Sequence, residues 1–139
     1  MPQSRLSQAT EVFKAAAHPA RLRILSMLRP GGLCVCQITA VLDLAVSTVS
    51  AHLAELKRAG LVVEHKDGRW VSYSLAADAD VGELGRVWAL VGDDPQVEED
   101  ARLVRGLRRI PVEELCRVDL DFTRLGLRRQ AVHQPRRTA

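Results

Sequence analysis

Residues 33–60, LCVCQITAVLDLAVSTVSAHLAELKRAG, decide the fold because they hold two helical apolar patterns on either side of a tight turn. The first pattern turns three apolar side chains inward, those of Ile38, Val41 and Leu42. Asp43 follows, and aspartate tolerates the left-handed backbone that a tight turn requires. The second pattern runs from about Val46 to Ala59, and Gly60 provides its C-terminal stop. This arrangement predicts a helix-turn-helix.

After Gly60 the apolar period changes from helical to alternating. Two alternating stretches, LVVEH at residues 61–65 and WVSYSL at residues 70–75, flank a turn that contains Asp67 and Gly68. A tight hairpin turn needs positive φ, which glycine adopts freely and aspartate tolerates. The pattern predicts a two-stranded wing. The expected fold class is therefore mainly α with a small β-hairpin, a winged helix-turn-helix.

Helical periodicity continues on both sides of this unit. It predicts further helices over about 6–17, 19–28, 77–91 and 97–109, and a short helix that begins at Pro111. We therefore predict three parts of the chain: a winged helix-turn-helix DNA-binding and dimerisation domain at 1–92, a C-terminal helical arm at 93–123, and a basic, disordered tail at 124–139.

The composition of the 139-residue chain is that of an ordinary globular domain, with 47% hydrophobic and 27% charged residues. It contains no run of about 18 apolar residues, and its first residues lack the apolar core of a secretory signal. We therefore expect a cytoplasmic protein without a membrane partner. Three cysteines in a reducing compartment predict reactive, metal-binding or buried thiols rather than a disulfide framework. The net charge of +3 mildly favours an anionic partner such as nucleic acid.

The second helix of the helix-turn-helix exposes polar side chains where such a helix meets base edges in a DNA groove. These are Ser47, Thr48, Ser50 and His52. Four basic residues flank them and are placed to hold the DNA backbone, namely Lys57, Arg58, Lys66 and Arg69. Base contacts set sequence preference, whereas phosphate contacts set affinity and orientation. Each residue taken singly also fits a solvated surface, but the order of helix, turn, helix and hairpin favours binding to double-stranded DNA.

Four motifs in residues 10–91 carry a resemblance to a known family: CVC at the start of the third predicted helix, which begins near Leu33 or Cys34, STVSxHL in the fourth, LxxAGLV after it, and GRWVxYxL in the wing. With them the chain resembles the ArsR/SmtB family of metal-sensing repressors, in its arsenical-responsive branch. The resemblance implies a winged-helix homodimer that blocks transcription at operator DNA until an inducer releases it. It also implies that the first and fifth predicted helices form the dimer interface, which fits the large apolar residues Phe13 and Trp88.

The sequence departs from the family pattern at the start of the fourth predicted helix. Ala45 and Val46 replace the usual Ser-Gln, and Ala51 stands where the family usually has arginine. The operator sequence of other members therefore cannot be transferred to this chain. We expect Ser47 to cap the helix instead, because its hydroxyl can accept from an amide two or three residues later.

Cys34 and Cys36 are candidate ligands for a soft ion, because thiolates select arsenite, antimonite, Cu(I) or Zn(II). In a regular helix, residues two apart point about 200° away from each other. Both sulfurs would then meet one ion only if the first helical turn unwinds, which would disturb the neighbouring DNA-reading helix. The spacing also fits two small buried hydrophobes or a redox-sensing pair. The matching CVC of the family implies that both thiols bind the inducer, As(III) or Sb(III).

The third sulfur that the arsenical branch often supplies is missing, because its position here is Thr39. Cys116 is the remaining thiol, and its segment PVEELCR is placed to fold back from either subunit of a dimer. Cys116 also fits an apolar contact beside Leu115. Water or another small ligand would otherwise complete the site.

Other metal sites and other classes of protein fit less well. The zinc site of the family needs an Asp-x-His pair, and DAD at residues 78–80 lacks the histidine. His18 better fits a helix cap, while His65 and His133 have no partner at metal spacing. The chain also lacks the phosphate-cradling Cys loop or Gly-rich nucleotide motif of an enzyme such as an arsenate reductase. We expect a repressor released by trivalent arsenic or antimony, with no organic cofactor and no enzymatic activity; the alternative is a thiol-redox regulator on the same scaffold.

Overall fold

The computed structural model describes residues 4–77, 84–116, 126–127 and 129–132. In chain order the elements are α1 (Arg5–Ala16), α2 (Pro19–Leu28), β1 (Leu33–Cys34), α3 (Val35–Leu42), α4 (Val46–Arg58), β2 (Val62–Asp67), β3 (Trp70–Leu75), α5 (Leu84–Val91), α6 (Pro95–Leu107) and α7 (Val112–Leu115). The predicted fold class, mainly helical with a small wing, is confirmed.

Helices α3 and α4 form the helix-turn-helix and are bent by 113° relative to each other. α3 ends at Asp43, which adopts φ 55° and ψ 44°, the left-handed conformation predicted for the turn. Val41 of α3 and two α4 residues, Val49 and Leu53, are fully buried and hold the two helices in one core. Among the described residues no single helix is long and apolar enough to cross a membrane; α3 and α4 meet that criterion only when taken together.

The sheet has three antiparallel strands in the order β1-β3-β2, one more than the predicted hairpin. β2 and β3 form the wing, with Asp67 paired to Trp70 at its turn. β1 adds Cys34 opposite Ser72 of β3. Gly32 permits this pairing, because a Cβ at that position would lie 3.1 Å from the carbonyl oxygen of Tyr73.

The prediction that the third helix begins at residue 33 or 34 is therefore wrong by one or two residues. Cys34 has extended backbone angles, φ −77° and ψ 158°, and stands immediately before α3. Its amide donates to the side-chain oxygen of Gln37 at 2.9 Å, which satisfies a backbone donor at the helix start.

The segment predicted as a C-terminal arm packs on α2 and α3. Leu103, Leu107 and Leu115 are fully buried in the same core as the helix-turn-helix. Arg23 of α2 donates two hydrogen bonds, of 2.8 and 2.9 Å, to the carboxylate of Asp100 in α6. This partly buried, bidentate ion pair ties α6 to α2.

The predicted tail is described only at residues 126–127 and 129–132. There the guanidinium of Arg129 donates to the carbonyl oxygens of Val41 and Ala40 at the C-terminal end of α3. The amide of Gln130 donates to the Glu99 carboxylate at 2.9 Å. The rest of the predicted tail lies outside the described residues, and the division of the chain into three parts stays a prediction.

The two helices predicted to form a subunit interface, α1 and α5, differ in how far their large apolar residues are exposed. Phe13 of α1 is 57% exposed and Leu6 is 79% exposed. Trp88 of α5, in contrast to the prediction, is buried inside the protomer, and the Arg29 guanidinium lies 4.9 Å from its ring centroid. Trp88 therefore has little surface left for a partner subunit, whereas Leu90 on the same helix is 79% exposed.

Candidate thiol site and nucleic-acid interface

The three cysteines converge, with their sulfur atoms all within 4.8 Å of one another. Cys34 comes from β1, Cys36 from the first turn of α3, and Cys116 from the residue that follows α7. Cys36 and Cys116 are joined as a disulfide with a Cα–Cα distance of 5.9 Å, while Cys34 is a free, buried thiol. The cysteine count predicted thiols rather than a disulfide framework, whereas the structure joins two of the three cysteines in one disulfide. All three sulfurs belong to one subunit.

The two sulfurs of the CVC motif meet without any unwinding of α3, so that part of the prediction is wrong. The expected angle of about 200° assumes that both residues are helical. Cys34 instead has an extended backbone and pairs with β3, whereas Cys36 lies inside the helix. The strand-to-helix junction therefore directs both side chains to one place.

The buried position of Cys34 determines its protonation. Burial raises the pKa of the Cys34 thiol, because desolvation disfavours the thiolate. Backbone hydrogen bonds from Gln37 and Cys36 oppose this rise in pKa. A soft cation that replaces the proton would remove the cost of a buried, uncompensated thiolate, and the amides at the start of α3 would support the remaining negative charge.

Cys116 reaches the other two thiols because α6 and α7 bring it back to α3. α7 contacts α3, and the buried side chain of Leu115 anchors the residue before Cys116. Thr39, which occupies the usual place of the third family cysteine, has a buried hydroxyl without a hydrogen-bond partner among the described residues. A hydroxyl is a hard ligand and does not replace a thiolate. Within the described residues, the three cysteines are the only group of three or more metal-binding side chains.

The predicted base-contacting hydroxyls lie on the exposed first turns of α4. Ser47, Thr48 and Ser50 are all exposed. The predicted cap by Ser47 is wrong, because the helix begins at Val46 with Ala45 in the cap position and no side-chain cap bond. The hydroxyl of Ser47 is thereby left on the surface of the first helical turn.

His52 differs from the three hydroxyl residues because α2 engages its ring. Arg21 donates from Nε to Nδ1 of His52 at 3.1 Å, and the His18 ring centroid lies 4.5 Å from that of His52. Burial, then the charges of His18 and Arg21, lower the pKa of His52. His18 itself caps α2, as predicted, with Nδ1 accepting from the amide of Ala20 at 3.1 Å. A DNA contact by His52 would have to use its other ring nitrogen.

The four predicted phosphate-contacting residues are exposed, and three of them pair with acids. Lys57 contacts Glu64 at 2.7 Å, and Lys66 lies 3.8 Å from the same carboxylate. Arg58 contacts Glu55 at 2.9 Å. Arg69 occupies the wing turn. Glu64, which sequence reasoning missed, is signalled by its alternation with Lys66 on one face of β2.

Among the residues excluded as metal ligands on the basis of the sequence, His65 lies in the described part of the chain. His65 contacts the hydroxyl of Ser74 at 2.9 Å. The DAD motif at residues 78–80 and His133 lie outside the described residues.

An open cavity of about 480 Å³ joins the thiols to the elements that are predicted to face DNA. Its lining includes Cys34, Cys36, Ser50, Lys66, Arg69 and Trp70. It therefore lies between the start of α3, the exposed face of α4 and the wing. Sequence reasoning placed Trp70 in the wing but missed its position beside the thiols, since that depends on the pairing of β1 with β3.

Comparison with known proteins supports the fold and its class. A model of the family described as "Bacterial regulatory protein, arsR family" matches residues 18–63. The chain is 43% identical over 65 residues to the arsenic resistance transcriptional regulator ArsR1 of Pseudomonas putida, covering 46% of this chain and 51% of that protein. It is 40% identical over 67 residues to the arsenical resistance operon repressor of Escherichia coli, covering 48% and 57%. The chain thus spans about half the length of these relatives.

A solved structure extends the match over a larger share of the relative. The homodimeric winged helix-turn-helix DNA-binding domain of Mb0332 from Mycobacterium bovis, a possible ArsR-family transcriptional regulator, is 34% identical to this chain. The superposition has a TM-score of 0.56 and covers 66% of this chain and 89% of that domain. The family resemblance predicted from the four motifs is confirmed, and the chain belongs to the ArsR family of bacterial regulatory proteins.

Proposed function

We propose that the protein is a transcriptional repressor that binds operator DNA and is released by trivalent arsenic or antimony held by Cys34, Cys36 and Cys116. The observation that carries this proposal is the convergence of three sulfurs within 4.8 Å at the junction of β1 and α3. An all-sulfur set is suited to a soft, thiophilic ion. The family assignment argues against an enzyme, and two of the relatives are named for arsenic resistance.

The proposed DNA-binding surface combines α4 with the wing. Ser47, Thr48 and Ser50 would touch base edges, because they are exposed on the first turns of α4. Four basic residues would hold the phosphates on either side, namely Lys57, Arg58, Lys66 and Arg69. His52 would contribute only through the ring nitrogen that Arg21 leaves open.

We propose a homodimer as the DNA-binding form. The M. bovis relative is homodimeric, and α1 exposes Leu6 and Phe13 as an apolar surface of the kind that associates. Two copies of α4 would then read two half-sites of one operator. The three thiols need a reducing compartment to stay available, so we place the protein in the cytoplasm.

The proposed release follows from the elements that carry the thiols. Cys34 pairs with Ser72 in the wing strand β3, and Cys36 lies in α3, which packs against α4. An ion bound by both sulfurs and by Cys116 would pull these elements and the segment after α7 towards one point. A small displacement there moves the wing relative to α4, and DNA affinity depends on the relative position of those two parts.

The test is a gel shift of the reduced protein on DNA from upstream of its own gene. We expect a shifted band that arsenite or antimonite abolishes and that zinc leaves in place, with peroxide tested separately. A band that survives saturating arsenite and antimonite would contradict the proposed inducer. Random DNA of equal length is the control for sequence preference.

A second candidate function is redox sensing, which the bond between Cys36 and Cys116 favours. Oxidation of two thiols by hydrogen peroxide forms one disulfide, transfers two electrons to the peroxide and yields two water molecules. The variant Cys34→Ser separates the two candidates, because it removes one metalloid ligand and keeps the disulfide pair. A redox regulator would still leave DNA on treatment with peroxide, whereas a metalloid sensor would lose its response to arsenite.

A further inference from the structure

The cavity beside the thiols shares its walls with the proposed DNA-binding surface. Cys34 and Cys36 line one part of it, Ser50 of α4 lines another, and Lys66 and Arg69 of the wing complete the side that faces DNA. We infer that operator DNA covers this cavity, so that the inducer reaches Cys34 and Cys36 only after the protein has left the DNA. This inference rests on the proposed function and concerns the regulation of the same site.

The size and burial of the site support this inference. The cavity volume of about 480 Å³ lies within the range of ligand pockets, about 300–1,000 Å³, and far exceeds the space that one ion needs. Cys34 is only 7% exposed, and it lines this cavity. The cavity therefore gives an inducer a route to the Cys34 sulfur, which direct collision at the outer surface hardly reaches.

The charges at the cavity explain why DNA would cover it. Lys66 and Arg69 are exposed cations on the wing side of the opening, and Glu64, which also lines it, is paired with Lys57 at 2.7 Å and lies 3.8 Å from Lys66. A duplex that places base edges against Ser50 brings its backbone phosphates alongside the wing, where these cations attract them. The phosphates would then lie across the opening.

The consequence is kinetic, because equilibrium binding alone does not separate two mechanisms. If the inducer binds to the DNA complex and strains it, the dissociation rate of DNA rises with inducer concentration. If DNA covers the thiols, the inducer captures only free protein, and the dissociation rate stays at its intrinsic value. Both mechanisms lower the occupancy of the operator at equilibrium.

The first test measures dissociation of the reduced protein from immobilised operator DNA. Excess free operator in the wash prevents rebinding, and the arsenite concentration is varied from zero to saturation. We expect the dissociation rate to change by less than about twofold while equilibrium occupancy, without competitor, falls by at least roughly tenfold. A dissociation rate that rises fivefold or more, by this order-of-magnitude criterion, would overturn the inference. Unchanged equilibrium occupancy would instead contradict the proposed function.

The second test needs no arsenite and therefore stands if the inducer is wrongly identified. Reduced protein is alkylated with iodoacetamide, alone or with saturating operator DNA, and each cysteine is quantified by mass spectrometry. We expect operator DNA to slow alkylation of Cys34 and Cys36 by at least about tenfold, as expected for a site that opens only on dissociation. Equal alkylation rates with and without operator would overturn the inference.

A matched control places an exposed thiol away from the proposed DNA surface. Arg105 is exposed on α6, which packs against α2 and α3. In the Arg105→Cys variant we expect the new thiol to react at the same rate with and without operator, while Cys34 in the same molecules is protected. Protection of both thiols to the same extent would show a general effect of DNA on the reagent and would overturn the inference.

Discussion

Two polar clusters connect the helix-turn-helix to the rest of the chain. They differ in whether the atoms that could bind a ligand are already engaged by other groups of the fold. In the thiol cluster, three sulfurs lie within 4.8 Å, and Cys34 remains a free thiol. In the imidazole cluster, Nδ1 of His18 accepts from the amide of Ala20, and Nδ1 of His52 accepts from Arg21. Side chains whose donor atoms are occupied by hydrogen bonds within the fold stabilise that fold. Side chains that converge and keep a reactive atom are suited to a ligand.

The two clusters also differ in the chemistry to which they respond. Burial lowers the pKa of His52, so the second cluster responds to protons as the pH falls. The thiols respond to soft ions and to oxidants. Substitutions in each cluster test this division.

The largest effect is expected from replacing the CVC thiols. Cys34→Ser and Cys36→Ser should each keep operator binding and lose release by arsenite, because serine matches cysteine in size while its hydroxyl is a poor ligand for a soft ion. Gel shifts across an arsenite titration, with circular dichroism as a check of folding, measure both properties. If the thiols only fill the core, the variants should instead lose about 1–3 kcal/mol of stability and keep the response to arsenite.

Replacement of Cys116 should have the next largest effect. Cys116→Ser removes one of three sulfurs, and we expect the arsenite concentration for half-release to rise roughly 100-fold, which corresponds to about 2.7 kcal/mol. An unchanged concentration would mean that two sulfurs suffice.

Mixed dimers test the arrangement of ligands within one subunit. A dimer of one Cys34→Ser/Cys36→Ser subunit and one Cys116→Ser subunit contains no complete site if each subunit supplies its own three thiols. We therefore expect the mixed dimer to need at least as much arsenite for half-release as the Cys116→Ser protein does. Release at the wild-type concentration would show that a thiol crosses between subunits.

Local patterns were sufficient to predict the helix-turn-helix and the wing, because their signals lie within a few residues of the structures they specify. Asp43 adopts the left-handed conformation that its side chain tolerates, and Gly68 has φ 57° in the hairpin turn. The strand β1 depended on distant residues instead. β1 contains two residues and exists only because β3 pairs with it, and no periodicity is detectable over so short a stretch.

The site was predictable in its residue types and not in its geometry. The thiols were identified from their chemistry, but the meeting of Cys36 and Cys116 spans a sequence separation of 80 residues and requires the packing of α6 on α2 and α3. The hydrogen bond from Arg21 to His52 likewise joins a residue of α2 to a residue of α4. Long-range contacts of this kind follow from tertiary packing, which a single sequence does not encode in any local pattern.

A smaller effect is expected from substitutions on the proposed DNA surface. Ser50 and Arg69 line the same cavity, and we expect their replacement to affect different properties of DNA binding. Ser50→Ala should cost about 1–3 kcal/mol of preference for operator over random DNA if its hydroxyl contacts a base. Arg69→Ala should weaken all sequences alike and reduce the slope of log affinity against log salt by about 0.9, the value for one phosphate. Fluorescence anisotropy on both DNAs at several salt concentrations measures the contrast. An operator-specific loss in Arg69→Ala would remove the wing from the phosphate contacts.

The smallest effect is expected from protonation of the imidazole cluster, and its direction follows from the lowered pKa of His52. The folded state binds a proton less readily than the unfolded state, in which the pKa is near the ordinary value of 6.5. The stability that neutral His52 contributes is therefore present above about pH 6.5 and is lost as the pH falls through the lowered pKa. Protonation also places positive charge on Nδ1, opposite the Arg21 guanidinium and beside the ring of His18.

His52→Gln tests this cluster, because the amide oxygen of glutamine can accept from Arg21 and does not titrate. We expect the urea midpoint of the wild type to be lower at pH 5.5 than at pH 7.5. In the variant this decrease should be measurably smaller, by up to about 0.5 M. His65→Gln is the matched control, since His65 is exposed on the wing, where its ring contacts Ser74; it should keep the wild-type fall. Equal pH dependence of the urea midpoint in wild type and His52→Gln would show that protonation of His52 does not affect the stability of the fold. Loss of arsenite release in His52→Gln would show that the two clusters act as one site, which would break the division between them.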